Sequence, residues 1–196
     1  MIINERGLVK NIKAAYKHGG FNVMNNGQQL TLYTDTWYVR VDWDKFPRKA
    51  LATLVECIGT LPSTNEVLAV MDKEEPQAVM PDVVGQDVAS WETGENAEGS
   101  ISMVPMIYQG YQLYQADYGG ACYGVAVNVL NILERDIAEH KNASRKGKTR
   151  ILWEHDGELV ILGVIRPTES YWTREWEQTV WAALEAVDLH KREERG

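Results

Sequence analysis

FNVMNNGQQLTLYTDTWYVRVDW, residues 21–43, is the stretch whose reading decides the fold. Two apolar runs, FNVM and QLTLYT, flank Asn25-Asn26-Gly27. Asn and Gly tolerate the positive φ of a tight turn, so the pair reads as a hairpin. Thr36 leads into a third strand, WYVRVDW, whose side chains alternate between two faces. Trp37, Val39, Val41 and Trp43 share one face, and Tyr38, Arg40 and Asp42 share the other. The aromatic-rich face is assigned to the core.

Helices flank these strands. Leu8, Ile12 and Ala15/Tyr16 recur at helical spacing from Asn4 to His18, with Asn4 as the cap and Gly19-Gly20 as the stop. Gly7 weakens the first turn. Pro47 suits the first turn of a second helix that ends at Gly59. Ala50, Leu51, Leu54, Val55 and Ile58 form its apolar face. Helix, three strands, helix predicts a compact α+β unit over residues 1–64, with both helices on one face of an antiparallel sheet.

Composition sets outer bounds. The chain has 196 residues and a net charge of -8, enough for one medium domain or two small lobes sharing a core. Two cysteines, Cys57 and Cys122, exclude a disulfide scaffold and an all-thiolate metal site. No apolar run reaches the roughly 20 residues of a membrane helix. MIINERGLVK lacks an apolar signal core, so the expected location is the cytoplasm. The acidic balance argues against general nucleic-acid binding. Seven Trp and nine Tyr stand against two Phe, a bias toward aromatics with polar handles.

The charge is unevenly placed. Residues 65–100 hold nine acids and one base, Lys73, and carry the whole excess. Residues 100–133 contain one charged residue, Asp117, and residues 141–150 carry five bases and no acid. The chain therefore divides into an N-terminal unit (1–64), an acidic connection (65–100) and a C-terminal α+β unit (101–196), with the two units sharing one core. In the connection, Val67–Met71 reads as a short strand and 82–91 as a short helix. Residues 101–118 read as two strands or one helix. Tyr108, Tyr111, Tyr114 and Tyr118 share a face at helical spacing, but Pro105 and Gly110 argue for a break. Val125, Val129, Ile132/Leu133 and Ile137 suggest a helix that ends before a basic linker. Arg150–Trp153 and Leu159–Ile165 form a hairpin turned at His155-Asp156-Gly157. A last helix over 170–189 carries a stripe of Trp172, Trp176, Val180, Leu184 and Val187, with Trp181 off it. The fold class expected is α+β, an antiparallel sheet or sheets with helices on one face, arranged as two similar lobes.

The chemistry-bearing residues are few. Cys122, in GGACYG before the expected helix, is the one candidate nucleophile, because a helix N-terminus lowers a thiol pKa. Its base would be His18, His140, His155 or His190, none in a recognisable motif. The plainer reading is a small buried cysteine in a glycine-rich entry. His155 and Asp156, with Glu154 and Glu158, are metal-capable types, but a turn explains Asp-Gly by backbone geometry alone. Asp42 and Asp44 share a strand face, as ion-holding pairs do, and read more simply as a solvated strand end. No metal site is assigned. No Walker loop, dinucleotide fingerprint or serine elbow occurs, and no cofactor is expected.

Two features read as protein-binding signals. One is the set Tyr108, Tyr111, Tyr114 and Tyr118, large contact residues of low entropy cost. The other is the acidic segment, with Glu74, Glu75, Glu92 and Glu95 able to imitate a phosphate backbone and enter a basic groove. Arg145, Lys146 and Lys148 offer a local nucleic-acid contact only.

The opening Ile2-Ile3-Asn4-Glu5-Arg6-Gly7-Leu8-Val9-Lys10, followed by Ala14-Ala15-Tyr16 and Gly19-Gly20, resembles small proteins encoded by Firmicutes phages and integrative elements. Some of these resemble anti-CRISPR inhibitors of Cas9-type nucleases. The resemblance covers about the first 60 residues, contains no catalytic motif and assigns no residue a role. It implies a protein that binds a host defence component, blocking DNA loading or cleavage. A Cys122-dependent enzyme and a self-associating structural protein of the phage or element are the competing classes.

Overall fold

The computed structural model describes residues 1–71, 73–80, 88, 91, 100–116, 120–139, 143–146, 150–165 and 174–189. The first helix, α1 (Glu5–Lys17), starts where Asn4 accepts a hydrogen bond from the Gly7 N–H at 2.9 Å. The hairpin of β1 (Phe21–Asn25) and β2 (Gln29–Tyr33) follows, then β3 (Trp37–Asp42). Asn25 closes the turn by accepting from the Gly27 N–H, and Gly27 takes a φ of 88°. The second helix, α2 (Arg48–Ile58), ends at Gly59 with a φ of 77°. It buries Ala50, Thr53, Leu54 and Ile58. Val55, expected on that face, is exposed.

The strands β4 (Glu66–Val70) and β5 (Gln77–Ala78) complete the N-terminal region. The C-terminal region holds β6 (Ser100–Tyr108), β7 (Tyr111–Ala116), β8 (Cys122–Ala126), β9 (Ala143–Lys146), β10 (Arg150–His155) and β11 (Glu158–Gly163). Between β8 and β9 lie two short helices, α3 (Val127–Leu130) and α4 (Arg135–Glu139). The last helix is α5 (Glu175–Glu185). The fold is α+β, and the described strands form one antiparallel sheet in the order β5-β4-β1-β2-β3-β11-β10-β9-β6-β7-β8. No helix among the described residues is long and apolar enough to cross a membrane.

The two halves join through β3 and β11, where Trp37 to Val41 pair with Leu162 to Glu158. Beyond β11 the chain turns back to β8. Gly124 and Ile165 exchange backbone hydrogen bonds of 3.0 Å each way, so β11, β10, β9, β6, β7 and β8 close into a ring. Gly124 lies in a tight spot, where a Cβ would stand 3.0 Å from the Ile165 side chain and 3.1 Å from that of Tyr111, so both would have to give way slightly.

One buried cluster runs through both halves. It takes Leu8 and Ile12 of α1, Leu54 of α2 and Val23, Leu32 and Val39 of the N-terminal strands. It continues through Tyr114, Tyr123, Ile151, Trp153 and Val160 inside the ring. The sheet face that carries α1 and α2 thus becomes the ring's interior. The outer face has two smaller clusters. Tyr33, Tyr38, Val67, Leu159 and Ile161 pack with Trp91, while Val104, Leu113 and Cys122 pack with Trp181 of α5.

Three expectations fail here. Trp43 belongs to a 3-10 turn, Trp43–Lys45, and is 39% exposed, because β3 stops at Asp42. Both faces of β3 are covered, so Tyr38 is as buried as Trp37. The helix expected from Val125 to Ile137 does not form. Cys122–Ala126 is a strand, and the apolar residues after it serve two short helices packed at the ring. Apolar spacing alone does not separate a buried strand from a helix segment. Residues 101–116 settle as two strands. Gln109 and Gly110 take φ values of 49° and 84°, the turn that a two-residue hairpin requires.

Candidate functional site

Cys122 is fully buried and opens a strand, so the helix N-terminus that would have activated it is missing. Its thiol faces the Gly120 carbonyl at 3.7 Å, and its backbone N–H donates to Glu185 of α5 at 3.1 Å. The side chain packs with Val104, Leu113 and Trp181. Burial pushes the thiol of Cys57 above its ordinary range, with Glu56 adding to the shift.

The tyrosines split. Tyr114 points into the ring, where its hydroxyl donates to the Ala138 carbonyl at 3.0 Å and its ring meets Trp153 edge-on. It is fully buried and offers a partner nothing. Tyr108 and Tyr111 face each other across the β6–β7 turn, half-buried, with Tyr108 edge-on to Trp181. Tyr118 lies outside the described residues. The helical face that would have united all four does not exist, because strands send alternate residues to opposite sides.

Of the acidic set, Glu74 and Glu75 are exposed between β4 and β5. Glu92 and Glu95 lie outside the described residues. Arg145 and Lys146 fall in β9, a sheet strand where a linker was expected, and Lys148 lies outside the described residues.

The other chemistry-bearing types are taken by structure. Lys45 reaches Asp156 at 2.9 Å and Asp42 at 3.6 Å. This contact holds the Asp156 carboxyl below its usual range and raises Lys45. Asp42 also accepts from Gln29 at 2.9 Å, while Asp44 sits in the exposed turn. Glu158 is buried and accepts from the Ile2 N–H. Among the described residues, no three of His, Cys, Asp and Glu converge on a metal position.

Three surfaces stand out, and sequence reading located none of them correctly. The first is α5. Trp181, expected off the stripe, is 0% exposed against Val104, Leu113 and Cys122. Trp176 and Val187, expected to be buried, are 50% and 55% exposed, with Val180 exposed between them. The helix is pinned the other way round. Gln115 of β7 donates to the Val187 carbonyl at 2.8 Å and accepts from the Leu189 N–H at 2.9 Å. At its start, Glu177 accepts from the Arg174 N–H at 3.0 Å and from Gln109 at 3.2 Å, which holds the carboxyl below its usual range. Trp176, Val180 and Ala183 are left as an outward apolar stripe at helical spacing, and Val187 is exposed just beyond the end of the helix.

The second is a cavity of about 730 Å³ between the end of α1, the β2–β3 turn and α3. Arg150 lies 4.2 Å over the Trp91 ring at its wall, a cation–π contact, and burial lowers the guanidinium pKa. Trp91 in turn stacks on Tyr38 at 5.9 Å. Asn11, Asn22 and Asn128 supply amides, and Asp35 a carboxylate.

The third is the outer side of α1. Arg6, Lys10, Lys13 and Lys17 are exposed at i, i+4, i+7 and i+11. The spacing is plain in the sequence, and the acidic total hid it.

No protein-family model matches the chain, and no curated protein matches it.

Proposed function

We propose that this protein acts by binding another macromolecule without catalysing a reaction, and that it serves a phage or mobile element as an inhibitor of a host defence nuclease. The supporting observation is the outward pair Trp176 and Val180, with Val187 just past the helix end, on an element already fixed to the sheet by Trp181 and Gln115. Exposed Trp on a rigid element is the residue type that dominates interface energies. A contiguous apolar face of this kind marks an interaction site. Glu74 and Glu75 add exposed negative charge that speeds encounter with a basic groove.

The experiment is guided DNA cleavage by purified Cas9-type nucleases at rising concentrations of the full chain. Cleavage stops near equimolar protein, and Trp176→Asp restores it by at least tenfold in inhibitory concentration. The double reversal Glu74→Lys/Glu75→Lys slows association mainly at low salt, and Cys122→Ala leaves inhibition unchanged. Full cleavage at a large excess, with no complex on gel filtration, overturns the inhibitor role. The same stripe also supports self-association. A Trp176-dependent dimer on gel filtration, with no effect on any nuclease, assigns it that way instead.

A further inference from the structure

We propose that the outer side of α1 is a nucleic-acid-binding track that grips the phosphate backbone. Arg6, Lys10, Lys13 and Lys17 stand in a line, all exposed. At about 1.5 Å of rise per residue, the line extends roughly 16 Å. The first 20 residues carry four Lys/Arg against a single acid, Glu5, in a chain whose net charge is -8. That acid faces α2, where it accepts from the Lys49 N–H at 2.8 Å and meets Lys49 Nζ at 3.7 Å. Of the four cations, Lys13 has an ion pair, an exposed one with Glu56 at 3.6 Å, and the other three face no carboxylate among the described residues.

This arrangement opposes the stability of its own helix. Like charges four residues apart repel, and Arg6/Lys10 and Lys13/Lys17 are both such pairs. Arg6 also sits in the first turn, where the helix dipole disfavours a cation. A line of charge built against the local electrostatics is suited to a counter-charge from outside.

The track has recesses at both ends. Arg6 and Lys10 line a groove of about 560 Å³ that is also bordered by Arg135, Asn4, Asn131 and Gln112. At the other end, Ala14 and His18 border the 730 Å³ cavity with Arg150 and three further amides. Among the described residues no carboxylate lines the first groove, and Asp35 is the one that lines the second. Exposed Arg and Lys side chains are the groups that most often hold phosphate oxygens. A duplex presents about one phosphate per 1.7 Å of axis, so a straight 16 Å line of cations meets several at once. An acidic protein surface offers its carboxylates at no such fixed spacing, which favours nucleic acid as the occupant.

The test is fluorescence anisotropy of a labelled 20-base-pair DNA duplex and of its single strand, titrated with the full chain from 50 to 200 mM NaCl. Four phosphate contacts predict a loss of affinity of about a hundredfold across that range. Lys10→Glu/Lys13→Glu weakens binding at least tenfold at 50 mM and lowers the slope of log affinity against log salt by about two. Lys10→Gln/Lys13→Gln does the same to a smaller extent. The equal charge change Lys73→Glu/Arg174→Glu, away from α1, changes affinity less than threefold. Circular dichroism verifies that each variant is folded. The proposal is overturned if neither duplex nor strand binds at 50 mM, or if the α1 and control variants lose the same affinity. It is likewise overturned if poly-glutamate competes as well as the DNA, which reassigns the track to an acidic protein partner.

Discussion

Helices α1 and α5 are both amphipathic, and they dock in opposite senses. In α1 the apolar residues Leu8, Ile12 and Ala15 are buried, and the charged residues face outward. In α5 one aromatic, Trp181, carries the docking while three apolar residues on another side remain in the open. Hydrophobic periodicity locates a stripe, but it does not say which side of the helix the rest of the fold will accept. For α1 the partner surface is broad, since two helices and the sheet share one cluster. For α5 the receiving surface is narrow, formed by Val104, Leu113 and Cys122 on three adjacent strands, and the Trp181 indole sits at its centre with Tyr108, Leu184 and Leu189 packed around it. A narrow receptacle selects the residue that fits, and the longer apolar stripe is left for another purpose.

Substitutions can break this comparison or sharpen it. The largest effect belongs to Gly7→Ala. A Cβ at that position would stand 1.6 Å from the Asn131 carbonyl oxygen, backbone that has no alternative place. The variant should lose about 3 kcal/mol or more in chemical denaturation, because α1 must lift from the turn after α3. A loss within the roughly 1 kcal/mol of an ordinary mid-helix or surface change would mean that α1 is not seated so closely.

Next comes the pair that tests α5 directly. Trp181→Ala should cost about 3 kcal/mol, as buried Trp truncations do, and Trp176→Ala about 0.5 kcal/mol or less. Equal costs, or the reverse order, would break the assignment of the docked face. A smaller effect is expected from Gln115→Leu, which removes the side-chain hydrogen bonds to Val187 and Leu189 and should cost about 1 kcal/mol. It should raise amide exchange at 184–189 ahead of the rest of the chain.

The smallest effect concerns pH. Lys45 holds Asp156 below its usual carboxylate range. A depressed carboxylate contributes stability above its unfolded pKa near 3.8 and loses it as pH falls through the lower folded value. Lys45→Met should therefore narrow its stability gap to wild type as the pH drops below about 3.8. A gap unchanged between pH 6 and pH 3 would remove the pair from the account. Solvent reaches both partners, with Asp156 exposed and Lys45 half-buried, so screening weakens this contact and it ranks last.

Some of this architecture is legible in the chain. Asn4 before Glu5-Arg6-Gly7-Leu8, Asn-Gly between β1 and β2, Gly59 after α2 and Asp156-Gly157 between β10 and β11 each carry a local geometric demand. Local demands survive in any tertiary context. For 101–116 the sequence leaves two strands open, through Pro105 and Gly110, and two strands form, but 120–137 is not legible, because its strand is chosen by partners outside it. Cys122–Ala126 is a strand because β7 pairs with it and Ile165 closes on Gly124. Nothing within the segment itself distinguishes Val125, Val129 and Ile132 from the spaced residues of one helix. Tyr114 was misread for the same reason: its helical neighbours Tyr108 and Tyr111 stand elsewhere once the turn at Gly110 forms. The cations of α1 were legible in spacing and were lost in a total charge of opposite sign.

The contact between Gly124 and Ile165 has a consequence for how this molecule meets copies of itself. An open eleven-stranded sheet would offer two rows of unpaired backbone groups, each a template for edge-to-edge aggregation. The bridge between Gly124 of β8 and Ile165, just past β11, interrupts one of those rows. The other belongs to β5, two residues long, which is too short a template to recruit a neighbouring chain. Backbone pairing with a second copy therefore finds little to extend at these edges, and side chains would carry such a contact instead.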